Sequence, residues 1–420
     1  MFPNLLDLEL GWLDKDETRH LPHIFPLVLS PALSNITLTL ENTSHTKMAL
    51  SSLALSYNSL TFIYSVENDS GLVQEFSTLL LKCTPHRLLR FIVDAPVTWA
   101  AFLHASQLPC LQYFGAEGVQ VDQPDPPLPA TMFHSLKFLA IWGLSANSIW
   151  LQTFGRICST NLELLLLELK DPCDARMAVH LKALENIRHC CHRTLTDLFI
   201  MCKDQFSGLE VDRRLVQILL PFTQLTLLHI SFTCGQGQCS HKLSDEDLER
   251  LVKAMPNLSE LVLGGRILCP IPANNSIKSL VAIAKHCKHL EELTIHTNVE
   301  AIISGPPPEE YPIPRDQNSV RCPLHSITFG PCSIPNGEQG VRMFVSVLEG
   351  LFPNLLMVGA SPTTSQWRLV RAKIFAAAGS VTSDPLGESI GFPECEFLLI
   401  VRRRRRRSCD FRLTHLVAIY

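Results

Sequence analysis

No run of about 18 uninterrupted apolar residues occurs along the chain, which removes a membrane-spanning helix. The opening MFPNLLDLELGWLDKDE is acidic and has neither the basic nor the apolar region of a secretory leader, so an intracellular protein, cytoplasmic or nuclear, is expected. No glycine-rich phosphate loop follows any apolar run, and there is no G-x-S-x-G elbow. These absences remove the common nucleotide-binding and serine-hydrolase signatures, and no cysteine stands in a protease-like context. Charge is also sparse, at 18% of residues against 46% hydrophobic, a balance that disordered chains do not have. Fifteen cysteines are present, an odd number, and several sit inside apolar patterns where a free thiol acts as a small hydrophobe. His189-Cys190-Cys191-His192 and the Cys234, Cys239, His241 group hold zinc-binding residue types, but no second CxxC or distant HxxxH pair completes a four-ligand site. No metal or other cofactor is expected, and no enzyme.

The net charge of −4 hides a division. Arg402 to Arg407 and Arg412 carry seven of the 36 basic residues, leaving residues 1 to 401 with 29 basic and 39 acidic side chains, a balance of −10. An acidic body lacks the clustered Lys and Arg that would offset phosphate charge, so nucleic acid is not an expected partner.

What the chain does have is a repeated unit, read most clearly in LSDEDLERLVKAMPNLSELVLGG, from Leu243 to Gly265. Ser244 is placed to cap a helix, with Asp247 in its first turn. Leu248, Leu251, Val252 and Met255 recur at helical spacing, and Pro256 stops the helix. Leu258-x-x-Leu261-x-Leu263 then alternates as a short strand does, and Gly264-Gly265 closes the unit.

The same L-x-x-L-x-L spacing opens the chain at Leu5-Leu8-Leu10 and returns at Leu33-Ile36-Leu38. A degenerate row falls at Leu60 and Ile63, with Ser65 at the last apolar position. Rows then begin at Leu88, Leu111, Leu136, Leu162, Leu195, Leu225, Leu258, Leu290, Leu324 and Leu355, at intervals of 23, 25, 26, 33, 30, 33, 32, 34 and 31 residues. These periods exceed the range of about 20 to 29 residues usual for leucine-rich repeats, which predicts full helices and loop insertions on the far side of the sheet. Helices are expected from Met177 through Leu181, Leu184 and Ile187 to Cys191, from Ile277 to Ala284, from Val341 to Leu348 and from Trp367 to Ala378. One such unit buries too little apolar surface to offset its own conformational entropy, so the rows must stack. The expected fold is α/β: a leucine-rich-repeat solenoid of about 12 to 13 repeats over residues 1–378, with a curved parallel sheet on the concave side and helices on the convex side.

Several rows are introduced by cysteine or by proline and asparagine, as in Cys287-Lys-His-Leu290, Met255-Pro-Asn-Leu258 and Phe352-Pro-Asn-Leu355. Together with FPNLLDLELGW, HIFPLVLSPALSNITLTL, LLRFIVDAPVTW and LPCLQYFGAEG, this pattern resembles the leucine-rich-repeat region of fungal F-box proteins over about residues 1 to 375. The resemblance implies a substrate-recognition surface presented to a cullin-based ubiquitin ligase. In that family a short helical F-box precedes the repeats and docks on the ligase adaptor. Here Met1 leads straight into a row, and Leu21-Pro22 is followed by the helix-breaking Phe25-Pro26 and Ser30-Pro31. The adaptor is therefore an expected partner only if an F-box precedes Met1, and an F-box-free scaffold is the alternative.

Residues between the consensus leucines project from the concave face. In the middle rows these are Phe138 and Trp142, Leu164 and Leu166, Phe199 and Met201, and Leu227 and His229, bordered by Glu168, Asp197, Glu260 and Glu292. This apolar band is the surface that holds a protein partner, a layer covered by a loop or by the C-terminal segment, or, with the register shifted by one residue, part of the core. Two proline-rich stretches, 122–131 and 304–319, read as loops. Beyond residue 378 the repeat stops. Residues 379–420 form an irregular segment whose six arginines read as a nuclear-import signal, a contact for acidic partners, a solvated charge run or translated intron.

Overall fold

In the unit from Leu243 to Gly265 the helix start is closed reciprocally. The Ser244 hydroxyl accepts the N–H of Asp247 at 3.2 Å, while the Asp247 carboxylate accepts the Ser244 N–H at 3.4 Å and its hydroxyl at 2.8 Å. This capping box starts a helix over Asp245–Ala254 whose Leu248, Leu251 and Val252 are buried, as is Met255 at its C-cap. Pro256 cannot continue the helix, and the chain turns into the strand Glu260–Gly265.

The computed structural model describes residues 7–13, 34–40, 62–66, 72–83, 86–121, 128–144, 152–169, 177–202, 211–232, 242–265, 274–299, 322–330, 337–360 and 365–377, with His20, His23, Lys47, Met48, Leu50, Ser51, Leu53 and Ile334. The chain divides into two units, Met1–Ala378 and Gly379–Tyr420. The arginine run, the stretch 304–319, most of 122–131 and the Cys234, Cys239, His241 group lie outside the described residues.

The strands are β1 (Asp7–Leu13), β2 (Asn35–Leu40), β3 (Phe62–Val66), β4 (Arg90–Val93), β5 (Val97–Thr98), β6 (Tyr113–Ala116), β7 (Val119–Gln120), β8 (Phe138–Leu144), β9 (Leu164–Leu169), β10 (Asp197–Cys202), β11 (Leu227–Phe232), β12 (Glu260–Gly265), β13 (Glu292–Ile295), β14 (Ser326–Phe329) and β15 (Met357–Ala360). All but β5 and β7 join, in chain order, into a single 13-stranded sheet, and each pairing along it is parallel. Helices alternate with them as α1 (Val73–Lys82), α2 (Trp99–Gln107), α3 (Met177–Cys191), α4 (Arg213–Leu219), α5 (Asp245–Ala254), α6 (Ile277–His286), α7 (Gly337–Leu351) and α8 (Ser365–Ala377).

The leucine spacing sets the register. Phe91, Phe114, Leu139, Leu165, Leu198, Leu228 and Leu261 stand opposite one another on successive strands, and all are buried in one core with the apolar sides of the helices. Even the degenerate third row is a strand in register, with Ile63 opposite Phe91 and Ser65 opposite Val93. Backbone bonds repeat with the same order. The Leu89 carbonyl accepts the N–H groups of Gln112 at 2.8 Å and Tyr113 at 3.1 Å, and the Gln112 carbonyl accepts those of Lys137 at 2.7 Å and Phe138 at 3.0 Å. The doubled acceptor recurs at Lys137, Glu163, Thr196, Thr226, Ser259, Glu291 and His325. Side-chain hydroxyls reinforce three steps: Thr196 donates to Glu163, Thr226 to Thr196 and Ser259 to Thr226.

Neighbouring helices are tied as well. The Asp245 carboxylate, in the first turn of α5, accepts the Ser276 N–H and hydroxyl, each at 2.7 Å, and the Ser279 hydroxyl at 2.5 Å, fastening the start of α6.

Candidate functional site

Alternation along each strand gives the sheet a second face. In every middle row the neighbours of the candidate residues, Leu139, Leu165, Leu198 and Leu228, belong to the helix-side core, so the candidates themselves point the other way. Phe138, Leu164 and Leu227 lie on one cross-strand ladder that runs from Arg90 and Tyr113 through Asp197 to Glu260 and Glu292. Leu166, Phe199 and His229 lie on the next, which includes Ile92, Gly115 and Ala140. Met201 sits opposite Glu168 and Ser231 on a third.

Trp142 falls where β8 bulges. Ile141 pairs with Leu167 and Leu144 with Leu169, so Trp142 and Gly143 together oppose Glu168. Gly143 takes φ +64°, a conformation in which a side chain is strained.

The eight residues share one face of the sheet, and their exposure on it is uneven. Leu166, Phe199 and His229 are only 4%, 5% and 4% exposed and Trp142 9%, whereas Phe138, Leu164, Met201 and Leu227 are half-buried. Strands about 4.8 Å apart bring large side chains on adjacent rungs into contact, so each covers the next. Ile92, Ala140, Trp142, Leu166 and Phe199 form a thin apolar layer that is buried without belonging to the helix-side core. The accessible part is its outer ladder. There the Arg90 guanidinium stacks 4.2 Å from the centre of the Tyr113 ring, and Tyr113 meets Phe138 at 6.1 Å. Deeper in, the Phe199 and His229 rings lie 5.7 Å apart.

The chain matches no protein-family model, and no curated protein matches it.

The same outer ladder turns acidic beyond Leu227. Glu260 pairs directly with Glu292, and Asp197 lies two strands away. Burial pushes the Glu260 carboxyl up to about 7, with the Glu292 and Asp197 charges adding to the effect. Asp197 is also raised, chiefly by burial, although the Thr196 and Thr226 hydroxyls at 3.1 and 3.2 Å oppose the shift. Among the described residues none forms an ion pair with Glu260 or Glu292. A partner approaching the band therefore meets aromatic and aliphatic side chains flanked by carboxylates.

Sequence reading missed Arg90 and Tyr113, which carry the ladder towards the N-terminus. The signal was present, since both directly precede the second consensus residue of their rows, as Phe138, Leu164 and Leu227 do. Among the described residues no group of three His, Cys, Asp or Glu is placed to hold a metal ion. No described helix is long and apolar enough to cross a membrane.

Proposed function

We propose that this chain is a leucine-rich-repeat protein that binds a protein partner on the concave face of its sheet, without catalysis. The observation that carries this reading is the ladder Tyr113, Phe138, Leu164: three large apolar side chains, half-buried, on the sheet face that the helix-side core does not use. Half-buried large apolar side chains are suited to anchor a partner, because part of their surface is already dehydrated and little side-chain entropy remains to be lost. The carboxylates of Asp197, Glu260 and Glu292 favour a partner whose apolar anchor is followed by cationic residues. The resemblance of the rows to fungal F-box proteins supports a role in presenting substrates to a cullin-based ubiquitin ligase. An F-box-free scaffold is the second reading.

The test is affinity capture of the native protein from its own cells, repeated with Phe138→Asp and Leu164→Asp. Leu369→Asp, an exposed position on α8, is the control. The reading expects the partner to be lost from the two sheet variants and kept by the control, with all three unfolding at temperatures near that of the parent. Retention of every partner by folded sheet variants would sink it. Cullin and adaptor peptides among the captured proteins would favour the ligase role, and their absence the scaffold.

A further inference from the structure

Cys158 and His134 are 24 residues apart in the chain, and the Cys158 sulfur lies 3.2 Å from His134 Nδ1. The other ring nitrogen, Nε2, lies 3.4 Å from the Thr131 hydroxyl. A thiol, an imidazole and a hydroxyl thus stand in line, with the tautomer that donates from Nε2 to Thr131 leaving Nδ1 free to accept the thiol proton.

The backbone is arranged to hold this geometry. Phe133, immediately before His134, has φ +56°, the single non-glycine residue in the left-handed region among the described residues. That conformation sends the Phe133 ring into the core, against Phe102 at 5.5 Å and Phe114 at 5.6 Å, while the next side chain turns outward to the thiol. Both flanks are fixed. Met132 donates to the Arg156 carbonyl at 2.8 Å and accepts from the Cys158 N–H at 3.0 Å, Phe133 donates to Ser106 at 2.7 Å, and the Ser159 hydroxyl donates to the Leu136 carbonyl at 2.5 Å. A strained residue held by its surroundings beside a base and a nucleophile is the arrangement found where chemistry is pre-organised.

We propose that Cys158 is a thiol-exchange site, activated by His134, at which a small disulfide forms a mixed disulfide with the protein. Burial pushes the Cys158 thiol up, so it rests as S–H, in reach of both the Met132 carbonyl at 3.3 Å and the imidazole. Such a thiol reacts when a base removes its proton at the moment of attack. His134 Nδ1 takes that proton, the Cys158 sulfur forms a bond to one sulfur of the incoming disulfide, and that disulfide's own S–S bond breaks. The departing thiolate receives the proton from the imidazolium. No net oxidant beyond the small disulfide is consumed.

The other described thiols lack this arrangement. Cys83, Cys191, Cys287 and Cys322 are buried, and burial pushes the Cys83 thiol up to about 12 and that of Cys322 to about 11. Cys190 is the rival, because the neighbouring Cys191 thiol holds it below the usual thiol range, yet it donates to the Ile187 carbonyl at 3.0 Å and among the described residues no imidazole bonds to it.

The full-length folded protein is treated with oxidised glutathione, and separately with iodoacetamide, and the rate at each cysteine is followed by peptide mapping. Cys158 is expected to react ahead of Cys110 and Cys190. His134→Ala should slow Cys158 by roughly 10- to 100-fold, leave Cys110 unchanged as a check on folding, and recover part of the lost rate in added imidazole. A purely structural role for His134 would not respond to imidazole. His134→Gln, which keeps a polar side chain but no base, should behave as the alanine variant does. Cys158 unmodified by glutathione, Cys190 reacting first, or a Cys158 rate indifferent to His134 and to imidazole would each overturn the proposal.

Discussion

The indole of Trp142 occupies the space that a side chain at Gly115 would fill: a Cβ there would stand 3.1 Å from Trp142 Cη2 and 3.2 Å from Ile92 Cγ2. The two residues are on neighbouring strands, and the missing side chain lets the bulged tryptophan lie flat on the sheet. Gly115→Val should lift the ring and lower stability by about 1 to 3 kcal/mol. Thermal melts together with acrylamide quenching of tryptophan fluorescence check this, with the extra quenching absent when Trp142→Phe is combined with it.

Glu260 makes stability depend on pH. Its carboxyl is raised from 4.5 to about 7 in the folded chain, so the folded state holds the proton more tightly than the unfolded one. The stability from that proton is fully present below about 4.5 and is lost as pH rises through about 7. Glu260→Gln should therefore change little at pH 4 and stabilise at pH 8 by about 1 to 2 kcal/mol, after allowance for solvent screening of a partly exposed group. Denaturant midpoints at the two pH values decide it. An equal effect at both would show that Glu260 does not carry the strain.

Asp245 joins two repeats through three hydrogen bonds to the start of α6. Asp245→Ala leaves the Ser276 N–H and two hydroxyls short of an acceptor, for a loss of about 1 to 3 kcal/mol. Hydrogen exchange should locate the damage in α6, with amides of α1 and α2 unaffected.

Leu227 and Leu228 are adjacent in sequence and opposite in role. Leu228 is 0% exposed in the core, so Leu228→Ala should cost about 2 to 5 kcal/mol. Leu227 is half-buried on the other face, and Leu227→Ala should cost less than about 1 kcal/mol while weakening partner binding. Equal losses of stability would mean that the two faces are not distinct.

The rows were legible because stacked repeats demand the same residue at the same place each time. Leu261 and Leu263 identify a strand by themselves, and their counterparts give its neighbours. Ser244 with Asp247 showed the start of α5 for a local reason, the capping chemistry of its first turn. The row at Ile63 is doubtful in sequence because Ser65 breaks the pattern, while in the fold the backbone keeps the register, with Ser65 still opposite Val93. Which face each candidate occupied was also readable, since it depends only on alternation. Its burial was not, because that depends on what stands on the adjacent strands: Gly115 makes room for Trp142, and Phe199 lies against His229. The meeting of His134 with Cys158 left no trace in spacing, as it is set by the backbone turn at Phe133.

The chain of doubled acceptors from Leu89 to His325 joins row to row across the strands, not along them. Tension applied between β4 and β15 would load one row boundary at a time, as in a zipper, and not all of them at once as in a lap joint under shear. Each boundary gives way when its few bonds and its share of the core are lost, and the next is then exposed to the same pull. The expected response to stretching is a series of small, similar yields spread over the length of the molecule, with the rows that remain still folded and able to re-form the lost boundary when the load is released.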